Sequence, residues 1–182
     1  GAKSTDRNNL EDPYSNDPVR HPALHQYTER PCNAASPVEL LLDNWYTPNE
    51  LWYVRNHHPV PQVSLADYQL QIYLPHLPNP LIYQRQQLKD EFKCSAIDVT
   101  LSCGGNRRSE YNQSRTTSGT PWNSGAISNA RWSGVRLTDL LRRHGINREV
   151  LARLHPELQY LTVDTLDGVA VSIPIHQALD PL

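Results

Sequence analysis

The sequence has few cysteines and no arrangement of them that forms a common cysteine motif. Only three occur in 182 residues, Cys32, Cys94 and Cys103, and no two stand in a CxxC pair. An odd number of cysteines cannot all pair within one chain, so a disulfide scaffold is not expected. Thiols that stay reduced are expected in a reducing compartment or buried in a cofactor site. At least one of the three therefore calls for a functional hypothesis.

Long apolar runs and an excess of one charge are also missing. The sequence contains no run of about eighteen apolar residues, the length that a membrane-spanning helix needs. Its start, GAKSTDRNNLEDP, lacks the apolar core of a signal peptide. The net charge is −2, which argues against a sequence-independent nucleic-acid binder. GxSxG, HExxH, P-loop and dinucleotide fingerprints do not occur. We expect a soluble chain that binds neither membrane nor nucleic acid.

Proline is abundant. Fifteen prolines and a hydrophobic share of 38% predict a coil-rich domain, although 182 residues suffice for one core. Residues 1–31 carry Asp, Asn, Ser, Pro and Arg with almost no apolar periodicity, which indicates an extended linker or arm. The folded domain is expected over residues 32–182.

Hydrophobic spacing predicts a modest set of helices and strands. Short helices are expected at 38–42, 83–92 and 136–144, the last ended by Gly145. Strands are expected at 51–54, 67–74 and 96–103, and a hairpin joins 159–163 to 169–173 through Leu166, Asp167 and Gly168. Asp167 is by default a turn residue.

Cys103 stands in the sharpest motif, Cys103-Gly104-Gly105-Asn106-Arg107-Arg108. Glycines let backbone amides approach a ligand, arginines lower the pKa of a nearby thiol, and a thiolate binds soft metal centres. The competing interpretation is a buried cysteine before an ordinary turn.

Two other segments suit ligand binding. Residues 53–58, Tyr-Val-Arg-Asn-His-His, offer groups that fit phosphate or another oxyanion, although a polar turn after a strand is the alternative. In the Gly/Ser-rich run 119–134, Trp122 could wall a pocket and offer its indole N–H, whereas Trp132, Trp45 and Trp52 are expected to pack structurally.

These segments together resemble the molybdenum domain of the sulfite oxidase family, in order along nearly the whole chain. The matching motifs are DPYSNDPVRHPAL (12–24), PCNAASPVELL (31–41), TPNELWYVRNHHPVP (47–61), VTLSCGGNRRSE (99–110), WNSGAISNARWSGVRLTDLL (122–141) and LDGVAVSIP (166–174). Several motifs in the right order are far more specific than any one of them.

The resemblance implies an α+β fold with a mixed sheet, and residues 32–182 as the N-terminal part of the molybdopterin-binding domain. It also implies a pyranopterin cofactor that carries molybdenum, with Cys103 as the thiolate ligand of the metal. The pocket for the anionic substrate would take Arg55, Arg108 and Trp122. The pterin and its phosphate would be bound by Tyr53, Val54, Arg55, Asn56, His57 and Asp167.

The implied reaction is the two-electron oxidation of sulfite to sulfate. Electrons would leave through a separate heme domain, absent from this chain, to cytochrome c, or go to oxygen. Residues 12–24 are similar to the segment after the heme domain of the animal enzyme, which favours the mitochondrial intermembrane space. Family members form homodimers through a further domain that this chain lacks.

Three departures from the family pattern stand out. The family has phenylalanine where this chain has Cys32, and alanine where it has Gly104. The chain also stops at Leu182, where the family continues through the rest of the cofactor domain. We therefore expect weak or no activity from this chain alone.

Other functions remain open. The molybdenum domain of assimilatory nitrate reductase shares the cysteine turn and the RNH segment, although GAISNARWSGVRL favours sulfite oxidase. The chain could instead be a truncated, non-catalytic module without cofactor. A third hypothesis makes Cys103 a redox thiol activated by Arg107 and Arg108.

Overall fold

The computed structural model describes residues 12–180. The chain forms nine strands and six short helices over these residues, together with a 3-10 turn at Asn49–Leu51. In chain order they are β1 (His25–Thr28), β2 (Asn33–Ala35), α1 (Val38–Leu41), β3 (Val54–Arg55), β4 (Gln69–Ile72), β5 (Leu81–Gln84), α2 (Arg85–Glu91), β6 (Cys94–Ser102), α3 (Arg108–Tyr111), β7 (Ile127–Val135), α4 (Leu137–Arg142), α5 (Arg148–Leu154), β8 (Tyr160–Asp164), β9 (Ala170–Pro174) and α6 (Ile175–Ala178).

The chain divides into two compact units, each built from two separate stretches. Unit 1 takes the chain up to Val60 and then Ser102–Ser128. Unit 2 takes Pro61–Leu101 and the chain from Asn129 onward. Each unit thus depends on residues that are far apart in sequence.

Unit 1 is organised by a three-stranded sheet in the order β1-β2-β3, with both pairs antiparallel. The central strand β2 is buried at all three of its residues, which are small enough for backbone segments to pack closely on it. Cys32 packs with Leu24 and Val54 in one apolar cluster, so the residue that departs from the family pattern serves here as a small core residue. Trp122 is the largest fully buried side chain described.

Unit 2 is held by a second apolar cluster, which contains Leu141, Ile146, Leu151 and Leu179. The antiparallel pairs β4–β5 and β8–β9 and the two-stranded sheet β6–β7 account for its strands. The hydroxyl of Tyr83 lies 3.1 Å from the carbonyl oxygen of Leu140 and 2.7 Å from Nε2 of His144, so β5 is tied to the end of α4.

Most of the predicted elements are present within a residue or two at each end. The helices α1 and α4, the strands β4 and β6 and the β8–β9 hairpin are confirmed. Gly145 follows α4 with a positive φ of 71°, as the ending of that helix requires.

Two predicted elements are wrong in part. Tyr83 and Gln84 belong to β5, and the helix begins only at Arg85, where Gln84 and Gln87 form a capping box. The strand predicted at 51–54 is present only from Val54, where β3 starts, because Leu51 belongs to the 3-10 turn Asn49–Leu51. In both places local backbone hydrogen bonding by turn and cap residues outweighs apolar spacing.

Part of the expected arm makes contacts within unit 1. Residues 1–11 lie outside the described part of the chain. From residue 12 onward, Asp12 forms an ion pair with Arg30, Asp17 Oδ1 accepts a hydrogen bond of 2.8 Å from the Val60 N–H, and β1 pairs with β2. The ordered structure therefore begins before residue 32.

The α+β, coil-rich fold class is confirmed. The β1–β2, β2–β3, β4–β5 and β8–β9 pairs are all antiparallel. Across residues 12–180, the chain contains no helix of the length and hydropathy needed to cross a membrane.

Candidate functional site

Cys103 is fixed by backbone hydrogen bonds directly after β6. Its N–H donates to the Ala126 carbonyl at 2.9 Å, and its own carbonyl accepts from the Asn106 N–H at 2.9 Å. The Gly105 N–H points at Sγ across 3.4 Å. The side chain is partly buried and packs on the apolar cluster of Ala35, Trp122 and Ala126. A thiol held in this way is presented with one backbone N–H already directed at the sulfur.

Arg108 and Trp122 lie close to the same turn. A Cβ placed on Gly105 would be 2.8 Å from Arg108 Nη2 and 2.9 Å from Trp122 Cδ1, so only glycine leaves both side chains where they are. Arg108 Nη1 donates to the Thr120 carbonyl at 2.9 Å, which orients the guanidinium. Cys103, Arg108 and Trp122, which were predicted from the sequence, thus lie together. Cys103 and Arg108 flank one turn, and Trp122 lies in the loop that packs on it.

Arg107 does not join this group through its side chain. Its backbone is left-handed at φ 65°, and its guanidinium forms a two-point ion pair with Glu110, at 2.6 and 2.7 Å. This pairing raises the pKa of Arg107 and lowers the pKa of Glu110. The charge of Arg107 is therefore committed to α3.

The second predicted segment is anchored to β2. Arg55 Nη1 donates to Asn33 Oδ1 at 3.1 Å and to the Asn56 carbonyl at 2.6 Å, and Nη2 lies 3.4 Å from His57 Nδ1. Val54 is buried, and the Asn56 N–H donates to the Cys32 carbonyl at 3.2 Å. The Arg55 guanidinium is held in a defined orientation by its neighbours.

Serine hydroxyls and one glycine join the two segments. Ser128 Oγ accepts from the Tyr53 N–H at 3.2 Å and lies 3.1 Å from Ser36 Oγ. The Ser36 N–H donates to the Gly125 carbonyl at 2.9 Å, and a Cβ on Gly125 would be 2.3 Å from the Ser36 carbonyl oxygen. Close backbone contact at β2 thus brings residues 53–57 and residues 103–128 into one unit.

Tyr53 lies near Cys103. Burial, and in second place the electrostatic interaction with Cys103, raise the pKa of Tyr53 above its usual value of 10. Tyr53 also packs on the cluster of Ala35, Trp122 and Ala126. The phenol therefore stays protonated beside the sulfur and can act as a donor.

Unit 1 contains buried hydrogen-bond donors that have no acceptor. Within residues 12–180, the buried side-chain nitrogens without a partner are Arg20 Nε, Asn56 Nδ2 and Trp122 Nε1. Each such donor costs about 1–3 kcal/mol when it stays unsatisfied. All three are donors, so the residues present fit an anionic, acceptor-rich group such as a phosphate-bearing pterin.

Asp167 lies in unit 2, at the turn between β8 and β9. It accepts a hydrogen bond from the hydroxyl of Thr165, and Gly168 follows with a positive φ of 81°. These contacts are those of a turn residue. The structure does not add Asp167 to the unit 1 group, and its pterin contact stays a prediction.

Two surface clefts lie elsewhere, in unit 2. One of about 250 Å³ is lined by residues that include Arg148, His155 and His176, and one of about 310 Å³ by residues that include Ile97 and Trp132. Neither is lined by a predicted site residue. Over the described residues, no group of three or more His, Cys, Asp or Glu side chains is arranged to hold a metal ion, so Cys103 does not belong to a cluster of that kind.

Several supporting residues carried no sequence signal. Asn33, Ser36, Asn106 and Ser128 are common polar residues, and nothing in their spacing marks them. Tyr27 lies in the expected arm, yet its hydroxyl accepts from the Asn123 N–H at 2.8 Å and its ring meets Trp122 edge-on at 5.0 Å. The expected linker character of residues 1–31 did not predict these contacts.

Comparison with known proteins finds relatives along nearly the whole chain. The chain is 40% identical over 172 residues to sulfite oxidase of Gallus gallus and 42% identical over 171 residues to mitochondrial sulfite oxidase of Homo sapiens. The alignments cover 94% and 93% of this chain but only 37% and 31% of those proteins. A nitrate reductase of Hordeum vulgare is 40% identical over 129 residues, which is 70% of this chain. The chain thus spans about a third of the sulfite oxidases that it matches.

Structure and family comparison lead to the same fold. The sulfane dehydrogenase SoxCD of Paracoccus pantotrophus superposes with a TM-score of 0.66 at 24% identity, over 85% of this chain and 38% of that one. The family model described as the oxidoreductase molybdopterin binding domain matches residues 57–182. The resemblance predicted from the motifs is therefore confirmed, and the chain belongs to the oxidoreductase molybdopterin-binding domain family.

Proposed function

We propose that this chain is part of a molybdenum enzyme that oxidises sulfite to sulfate, with Cys103 as the protein ligand of the metal. The observation that carries the proposal is the Cys103 turn, where a partly buried thiol meets a backbone N–H and lies beside Arg108 and Trp122. When bound, a molybdenum pyranopterin supplies the two-electron redox chemistry. The residues of this chain hold it, orient it and gather the anionic substrate.

Cys103 would act as a thiolate. The Gly105 N–H stabilises negative charge on Sγ, and the backbone bonds to Ala126 and Asn106 keep the sulfur in place. A soft thiolate suits a metal of this class. The Trp122 and Asn56 donors are left to meet acceptors of the cofactor.

Arg55 and Arg108 would attract sulfite. Each guanidinium is already oriented by a backbone carbonyl, of Asn56 and Thr120 respectively, so little side-chain entropy is lost on binding. Preorganised cationic donors favour an oxyanion in both the bound substrate and the transition state. Tyr53, Val54, His57 and Asp167 would complete the cofactor contacts.

The proposal is tested by metal content. The chain is produced in a host that makes the molybdenum cofactor, as the unchanged sequence and as Cys103→Ser and Cys94→Ser variants. Cys94 is an exposed unpaired thiol and provides the matched control. We expect near-stoichiometric molybdenum in the unchanged chain and in Cys94→Ser, and its loss in Cys103→Ser.

Equal molybdenum in Cys103→Ser would contradict the ligand assignment. Absence of molybdenum from all three proteins would contradict the proposal that this stretch holds the cofactor. Sulfite oxidation is then measured with an artificial electron acceptor, and turnover that requires the bound molybdenum would support the proposal.

Nitrate reduction is the second candidate, since a plant nitrate reductase also matches the chain. Offering nitrate with a reduced dye to the same molybdenum-loaded protein separates the two. Nitrate turnover without sulfite turnover would favour nitrate reduction as the function.

The remaining assignments belong to the whole protein. We propose residues 32–182 as the N-terminal part of its cofactor domain and residues 1–31 as the connection to an upstream segment. The mitochondrial sulfite oxidases among the relatives support a mitochondrial location, with the intermembrane space as the finer proposal. Cytochrome c, or oxygen, would be the acceptor, and dimerisation would use a further domain.

A further inference from the structure

Two histidine rings from distant parts of unit 2 face each other. Nδ1 of His76 lies 3.2 Å from Nε2 of His155, and the rings are nearly parallel, with 22° between their planes. We propose that His76 and His155 form a binding site for a divalent transition-metal ion such as Zn²⁺, separate from the Cys103 site. Neither residue has a role in the proposed function.

A carboxylate orients one of the rings. His155 Nδ1 lies 2.9 Å from Glu157 Oε1. A carboxylate oxygen at this distance can accept a hydrogen bond from the Nδ1–H of His155. With the ring proton on Nδ1, Nε2 of His155 presents its lone pair to Nδ1 of His76. A carboxylate behind a histidine is the usual support for a metal-binding imidazole.

Hydrogen bonds hold the backbone that carries each of the two histidine rings. The His155 N–H donates to the Leu151 carbonyl at 2.8 Å, and the His155 carbonyl accepts from the Leu158 N–H at 3.0 Å. His76 lies within a turn closed by a 3.0 Å bond from the Leu77 N–H to the Leu74 carbonyl. Leu74 and Leu158 pack on the cluster that contains Leu151. The two rings therefore meet because of the core beneath them.

The spacing of the nitrogens fits a shared metal ion. Zinc bonds to histidine nitrogen at about 2.0–2.1 Å, and tetrahedral geometry places two such nitrogens about 3.3–3.4 Å apart. The observed 3.2 Å is close to this value. When the His76 proton resides on Nε2, both facing nitrogens carry lone pairs, and a cation takes the place of the shared proton.

The chemistry selects a class of ion. Two imidazoles suit Zn²⁺, Cu²⁺ and Ni²⁺, whereas Mg²⁺ and Ca²⁺ require oxygen ligands. Since the described residues contain no cluster of three or more ligating side chains, water would fill the remaining positions. His76 is exposed, and His155 also lines the 250 Å³ cleft, so the ion and its waters have access.

The test is calorimetric titration of the purified chain with Zn²⁺ alone. We expect one saturable site in the unchanged chain, its loss in His76→Ala and in His155→Ala, and roughly tenfold weaker binding in Glu157→Gln. His21→Ala and Cys94→Ser serve as controls, since each removes an exposed metal-binding group elsewhere, and both should bind zinc as the unchanged chain does.

A second readout separates binding from folding. Because an ion that binds only the native state raises Tm, each variant is compared with and without Zn²⁺. We expect a rise in the unchanged chain and in both controls, and none in His76→Ala or His155→Ala. A histidine pair that serves only as a structural contact would lower Tm on substitution with no zinc-dependent rise in any protein. That result, or zinc binding that survives both alanine variants, would overturn the proposal.

Discussion

At the scale of single residues, the adjacent glycines of the Cys103 turn have different roles. Gly105 is buried against Arg108 and Trp122, whereas a Cβ on Gly104 would meet nothing within 4 Å. The family pattern has alanine in place of Gly104, and the open space accounts for that tolerance. The two positions therefore form a natural experimental pair.

We expect Gly105→Ala to destabilise the fold by about 1–3 kcal/mol, as overpacking does, and to lower molybdenum content. The Arg108 side chain could give way, but the fully buried Trp122 ring could not. Gly104→Ala is the control and should leave both quantities unchanged. Urea unfolding and elemental analysis measure them, and equal effects of the two substitutions would contradict the packing argument.

At the scale of elements, α5 depends on one side-chain cap. Asn147 Oδ1 accepts from the Val150 N–H at 2.8 Å. We expect Asn147→Ala to lower the free energy of unfolding by about 1 kcal/mol, and Asn147→Ser to retain most of it, since serine caps as well. Urea denaturation checks this, and a serine variant as unstable as the alanine variant would argue against the cap.

The ion pair at the start of α3 gives an acid dependence. Glu110 has a pKa below its usual 4.5, chiefly because Arg107 donates to its carboxylate. A pKa that is lower in the folded than in the unfolded state means that the stabilisation is fully present above the unfolded pKa and is lost as the pH falls through the folded pKa. We expect Glu110→Gln to lose less stability than the unchanged chain between about pH 5 and pH 3.

The effect is small because both side chains are exposed. Unfolding free energies across the acid range measure it. Glu149→Gln, which removes an exposed carboxylate on α5, should keep the full acid dependence. A flat difference between Glu110→Gln and the unchanged chain across this range would contradict the assignment.

The elements that could be predicted from sequence have a regular apolar period or a turn signal. Leu166-Asp167-Gly168 between two alternating stretches predicted the β8–β9 hairpin. Nothing predicted β2, because Asn33-Ala34-Ala35 has no apolar alternation and its burial arises from contacts with segments remote in sequence. The strand β7 was not predicted, because the Gly/Ser-rich composition around it suggested a loop.

The candidate site, like the fold, could be predicted from the sequence only in part. Cys103, Arg55, Arg108 and Trp122 were named from sequence because their side chains carry chemistry, and the resemblance gave them roles. The structure adds how they are held, through Asn33, Ser128 and the Thr120 carbonyl. Such supports are tertiary contacts between common residue types, so no local pattern reveals them.

At the scale of the whole molecule, the β8–β9 hairpin has one apolar face that is incompletely covered. Val163 pairs with Val171 and Leu161 with Ile173, while Thr162 and Ser172 share a 2.9 Å hydroxyl contact on the other face. Val163 and Val171 are about half exposed, at 49% and 52%. Apolar faces of this kind favour association between chains.

Apart from any dimerisation through a further domain, we expect this chain by itself to associate through the β8–β9 face, and Val171→Lys to weaken that association by about tenfold or more, the equivalent of exposing one valine contact. Ser172→Lys adds the same charge to the opposite face and should have little effect. Sedimentation velocity over a range of concentrations measures both. Equal dispersal by the two lysines would mean that added charge, and not the apolar face, is responsible.

The division of each unit into two stretches also dictates an order of assembly. The hydrogen bond from the Ser36 N–H to the Gly125 carbonyl closes a loop of almost ninety residues. Within that loop, the stretch Pro61–Leu101 belongs to unit 2. Contacts between residues so far apart in the sequence form slowly, because the chain loses the entropy of loop closure before they form. During synthesis, unit 1 therefore stays incomplete until residue 128 has left the ribosome. Cys103 is made well before the backbone that holds it, and any cofactor must be inserted after that point.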